Sequence, residues 1–190
     1  MNDRIEKILE EGRICKKNMV CVGPTGAQGP TGPTGPSAEQ SFVEMHTITG
    51  YPLSYTSEET LPVSFDAQDI THGNYSFEPG TVSVDPYQIT PGILIVNDPG
   101  FYEIHYDFSN VLSTVDGEYH IHVLNNGSNI ENASSSVNLT ANKQETISNT
   151  VYTYLPAGSR ISMSVTGYQN GQFIIGGNMN QLLIKKLADV

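Results

Sequence analysis

From Ser41 to the C-terminus, apolar and polar residues alternate in short runs. In FYEIHYDFS (101–109), Tyr102, Ile104, Tyr106 and Phe108 fall on one side of an extended chain, while Glu103, His105 and Asp107 fall on the other. SFVEMHTI (41–48) alternates in the same way and is followed by a Gly-Tyr-Pro break. LPVSF, TVSV and GILIV are short apolar runs bounded by Pro, Gly and Asp. EYHIHVL runs into Asn126-Gly127, a dipeptide suited to a tight hairpin turn. ETISNTVYTYL, SRISMSV, QFII and QLLIKKL complete a series of about ten strands at roughly even spacing, with no convincing helix among them. The pattern predicts an all-β domain over 41–190, a jelly roll or two-sheet sandwich of about ten antiparallel strands.

The first forty residues obey other periods. Within 1–21, Ile5, Ile8 and Leu9 share a helical face, Asp3 and Lys7 make a favourable i,i+4 pair, and Gly12 closes the segment. A helix of about ten residues is marginal in isolation, so this segment is read as a helix that docks onto another protein or begins a three-stranded bundle, or as a disordered attachment segment. Residues 22–37 read VGPTGAQGPTGPTGPS. Glycine recurs at Gly23, Gly26, Gly29, Gly32 and Gly35, with proline behind four of the five. Glycine at every third position is the collagen pattern, because only hydrogen fits the crowded axis of three wound chains. At about 3 Å per residue the rod would reach only about 45 Å, too short to hold three chains together unaided. Thr25, Thr31 and Thr34 take the third position of their triplets, point outward, and are candidates for O-glycosylation or simply solvated hydroxyls.

Charge narrows the partners. The 190-residue chain carries a net charge of −11. That argues against nucleic acid and anionic membranes, which demand a basic surface. Arg4, Lys7, Arg13, Lys16 and Lys17 precede a stretch with no cationic side chain until Lys143, so a trypsin-like protease finds no site there. That spacing fits an acidic domain in general and a protease-exposed surface in particular. No run is long and apolar enough to span a membrane, and the N-terminus does not resemble a secretory signal, so ordinary export is not expected. Cys15 and Cys21 are the two cysteines. Both precede the globular region, where they are either reduced thiols or a candidate cross-link between chains or to an outside partner.

Candidates for chemistry are few. No serine sits in a Gly-x-Ser-x-Gly elbow, Gly176-Gly177 closes a strand rather than opening a helix, and no carboxylate pair stands out as acid and base. The chain is therefore not expected to be an enzyme, and no cofactor is expected. Glu118, His120 and His122 alternate on one strand face, and Glu103, His105 and Asp107 on the strand before it. His105, His120 and His122 are the weak candidates for a metal site, against a hydrated sheet face as the plainer reading. Tyr51, Tyr55, Tyr75 and Tyr168 stand in apparent loops, suited to stacking on sugar or to ordinary turn packing.

VNDPGFYEIHYDFS (96–109) resembles the Pro-Gly-x-Tyr strand start in the globular heads of complement subcomponent q and of tumour-necrosis-factor-like domains. Pro99, Gly100 and Tyr102 carry that likeness, Tyr102 as an implied core residue. HVLNNGS, with Asn126 and Gly127, resembles the next strand, and TVYTYLPAGSRISMSV, with Gly158 in its turn, the later pair. With the upstream Gly-Pro-Thr triplets, the whole resembles the collagen-like glycoproteins of the bacterial spore surface, the BclA type. That resemblance implies a homotrimeric jelly-roll head, a structural role in the exosporium or outer coat, and contact with other coat or exosporium proteins through residues 1–21. A trimeric head would set the register of the stalk, and threefold symmetry would multiply histidine ligands if their face met the axis. The stalk is shorter than in that family and its N-terminal anchoring motif is not evident. The alternatives are a phage tail or fibre, and a recognition module that binds a glycan or a host protein.

Overall fold

The structure is a computed structural model that describes residues 41–48, 50–84, 87–177 and 180–189. The expected N-terminal segment, the collagen-like tract, Cys15, Cys21 and the tract threonines lie outside these residues. Among the described residues, sixteen strands form two seven-stranded sheets and a separate hairpin. They are β1 (Phe42–His46), β2 (Tyr51–Tyr55), β3 (Glu59–Pro62), β4 (Ala67–His72), β5 (Tyr75–Glu78), β6 (Thr81–Val84), β7 (Tyr87–Thr90) and β8 (Ile93–Val96), followed by β9 (Gly100–Ser113), β10 (Gly117–Asn125), β11 (Ser128–Asn129), β12 (Ser135–Leu139), β13 (Gln144–Leu155), β14 (Ser159–Gly167), β15 (Gly171–Ile175) and β16 (Asn180–Ala188).

The first sheet runs β2-β15-β9-β16-β1-β4, with β13 on the other side of β9. The second runs β11-β10-β14-β8-β5, with β12 beside β10 and β3 beside β14. Every pairing between named strands is antiparallel. Alternation places one face of each sheet inward. Tyr102, Ile104, Tyr106 and Phe108 from β9 and Leu182 and Ile184 from β16 meet Tyr119, Ile121 and Val123 from β10 and Ile161, Met163 and Val165 from β14, all buried. Tyr119 anchors the centre: its ring lies 5.9 Å from Tyr55 and 5.1 Å from Phe173, and its hydroxyl is 2.6 Å from the Ser113 hydroxyl. Buried rings of this size contribute most to the burial free energy of a sandwich core.

Three expectations need correction. The Gly-Tyr-Pro break is in fact β2, with Tyr51, Leu53 and Tyr55 buried. Pro52 is tolerated because β2 is an edge strand, where a missing N–H costs no ladder bond on the open side. The count of ten rises to sixteen because 51–55, 67–78, 87–90 and 128–139 also pair. LPVSF is strand only to Pro62, although Val63 and Phe65 beyond it are fully buried.

The Asn126-Gly127 turn forms as its sequence demands. Both residues adopt positive φ, 51° and 78°, in a two-residue loop between paired Asn125 and Ser128.

Candidate functional site

The outer face of the first sheet carries an unpartnered aromatic cluster. On β9, burying Tyr102 and Ile104 turns Phe101 outward. On β13, burying Val151 and Leu155 turns Tyr152 and Tyr154 outward. Phe101 is opposite Tyr154, their rings edge to face at 5.7 Å. Phe101 is 52% exposed, Tyr152 67% and Tyr154 44%, with Leu187 also exposed at the end of β16. One row crosses the sheet here: Phe42 pairs with Lys185, Lys185 with Glu103, and Glu103 with Tyr152. The cluster therefore lies at the end of the sheet where β1 begins, beside the point at which the chain arrives from residue 41.

The family-like residues of the sequence sit around this end. Tyr102 is buried and its hydroxyl donates to the Asp98 carbonyl at 2.7 Å. Burial raises its pKa above the usual tyrosine value, so the hydroxyl keeps the proton it donates. Pro99 precedes β9, and at Gly100 a Cβ would come within 2.6 Å of the Ala188 carbonyl oxygen, so β16 closes directly over it. Gly158 adopts φ 81° in the turn joining β13 to β14, where the Ser159 N–H donates to the Pro156 carbonyl.

The two histidine groups are not brought together. β9 belongs to the first sheet and β10 to the second, and the buried residues of both strands point into the shared core. His105 therefore faces outward on one side of the sandwich, and His120 and His122 on the other. His105 Nδ1 is 2.8 Å from the Thr150 hydroxyl. Among the described residues, no group of three or more His, Cys, Asp or Glu side chains is arranged to hold a metal.

The outside of the second sheet is a bonded polar row. His120 Nε2 donates to Glu118 Oε1 at 2.8 Å, and the Ser136 hydroxyl donates to the same oxygen at 2.7 Å. The bond from His120, then that from Ser136, holds the Glu118 carboxyl below its ordinary pKa. His122 lies 2.9 Å from the Ser134 hydroxyl and 3.2 Å from that of Thr166, and burial, then the neighbouring His120, lowers its pKa. Two open depressions also mark this sheet, of about 300 Å³ beside Leu61 and Ile89 and about 430 Å³ beside Ile93 and Leu124. Among the described residues, Glu59 is the one ionisable side chain lining the first and Arg160 the one lining the second.

Of the tyrosines expected in loops, Tyr51 and Tyr55 belong to the core and Tyr75 is half-buried, its hydroxyl bonded to Ser41. Tyr168 alone of the four is exposed. The aromatic cluster itself was missed in the sequence, although TVYTYL carries the signal. Val151 and Leu155 are apolar on one face while Tyr152 and Tyr154 are aromatic on the other, and a strand apolar on both faces has two surfaces to cover.

No protein-family model matches the chain. No curated protein matches it either. Solved structures do. The crystal structure of murine APRIL at pH 5.0 is similar over 78% of this chain and 100% of that one, at 12% identity and a TM-score of 0.51. The crystal structure of murine APRIL at pH 8.0 covers the same shares at 13% identity and a TM-score of 0.51. Eiger TNF from S. frugiperda is similar over 80% of this chain and 94% of that one, at 15% identity and a TM-score of 0.44. At such identities the likeness is one of fold alone, a jelly roll shared with murine APRIL.

Proposed function

We propose that this chain is a homotrimeric structural protein. Its jelly-roll head holds three copies together and sets the register of the collagen-like tract 22–37, as a building block of a bacterial spore surface. The observation that carries the assembly is the exposed cluster of Phe101, Tyr152 and Tyr154 at the end of the sheet where β1 begins. Burying the exposed part of one such ring is worth about 2 kcal/mol. That is less than the roughly 4–15 kcal/mol of freedom lost on each association, so several such rings must be buried together. Three is the number a glycine at every third position requires. Tethered to three joined heads, the tracts are kept at high effective concentration, and five triplets need only wind locally.

The spore surface enters through the resemblance of the stalk-and-head order to spore-surface glycoproteins, with a phage fibre as the other location. Fractionating spores and probing for the chain tests location: recovery with the outer layers supports it, and recovery only with phage particles refutes it. Assembly is tested by comparing a peptide of residues 22–37 with the whole chain. The peptide alone should give no triple-helix circular dichroism, and the whole chain should sediment at three times its 20.7 kDa mass.

A further inference from the structure

We propose that the outer face of the second sheet carries a binding site for a neutral saccharide, built from Tyr168, His120, Glu118 and Ser136. It goes beyond the assembly reading and does not depend on it. Tyr168 is 43% exposed, yet its backbone is fixed: its N–H donates to the Glu118 carbonyl and its carbonyl accepts from the Ser57 hydroxyl at 3.0 Å. The His120 ring lies 4.8 Å from the Tyr168 ring at 63°, an edge contact that braces the aromatic ring. The result is a pre-positioned aromatic platform, which loses little freedom when a ligand stacks on it.

The polar atoms beside the platform are acceptors. Among the described residues, both hydrogen bonds to the Glu118 carboxylate arrive at Oε1, from His120 and Ser136, and Oε2 is the oxygen offered to a ligand donor. When the His120 ring is neutral, the Nε2–H donated to that carboxylate leaves Nδ1 as an acceptor. An aromatic face beside converging acceptors fits a ligand with an apolar C–H face and several hydroxyl donors, which is a pyranose. An anionic sugar would meet the Glu118 carboxylate within a chain of net charge −11. A metal ion would lack a third ligand, since among the described residues no such group of three exists.

Saturation-transfer NMR on the full chain tests this. The probes are methyl β-galactoside, methyl α-mannoside, methyl β-N-acetylglucosaminide and N-acetylneuraminic acid at millimolar concentration. At least one neutral glycoside should receive saturation and the acid none. Tyr168→Ala should abolish the signal, and Tyr168→Phe should keep it. Glu118→Gln should weaken binding about tenfold, the worth of a hydrogen bond to a charged acceptor. Silence from all three neutral glycosides, a signal that survives Tyr168→Ala, or an equal signal from the acid would overturn the proposal. Circular dichroism guards against misfolding, and Glu118→Gln decides if Tyr168→Ala unfolds. Since sedimentation reads assembly separately, either proposal can fail while the other stands.

Discussion

The two outer faces of this sandwich have the same strand chemistry behind them and opposite surfaces in front. On the second sheet, Glu118, His120, His122, Ser134, Ser136 and Thr166 bond among themselves. On the first, Phe101, Tyr152 and Tyr154 face solvent, with Phe101 edge to face with Tyr154. A polar row that satisfies its own donors and acceptors is stable in water. An aromatic cluster gains free energy only when something covers it. On the proposed reading, the first sheet serves assembly and the second is open for recognition.

The sharpest way to break the contrast is to put charge into the first face. Tyr152→Asp with Tyr154→Asp should convert trimer to monomer at micromolar concentration while circular dichroism of the sandwich is unchanged, and an unchanged trimer would locate assembly elsewhere. Tyr119→Ala probes the core between the faces. It should lower stability by about 3–5 kcal/mol in urea denaturation, because it removes a fully buried ring from between Tyr55 and Phe173. Tyr119→Phe should cost only about 1 kcal/mol, since the Ser113 hydroxyl keeps its bond to the Val115 carbonyl.

Acid probes the second face. In the folded chain the His122 imidazole titrates below its ordinary 6.5, mainly through burial. Below that ordinary value the unfolded chain therefore binds more protons than the folded one, and stability falls with pH until the folded ring also protonates. The melting temperature should drop between about pH 7 and pH 5, and His122→Gln should flatten that part of the curve. The smallest effect belongs to Arg160→Ala. Arg160 makes a two-pronged pair with Glu78, at 2.6 and 3.0 Å, but both side chains are well exposed, so the melting temperature should barely move.

Much of the sandwich was legible because β9 and β10 are polar on one face and apolar on the other, which fixes both strand type and inward face. Asn126-Gly127 was legible because two positive φ angles in succession leave few residue choices. Pairing between distant segments was not. Pro52 reads as a break unless its strand is known to lie at an edge, and that is a property of the assembled sheet. The histidines of β9 and β10 look adjacent because the strands are consecutive, yet residues 114–116 carry the chain from one sheet to the other. Alternation gives the face of a strand but not its sheet. For the same reason Tyr152 and Tyr154 became a surface cluster only once Phe101 was seen opposite Tyr154.

Sedimentation velocity on the whole chain, diluted from tens of micromolar to below one, tests the central claim most directly. The account predicts a single species of three times 20.7 kDa at micromolar concentration that Tyr152→Asp with Tyr154→Asp disperses. A folded species of 20.7 kDa throughout that range would contradict it.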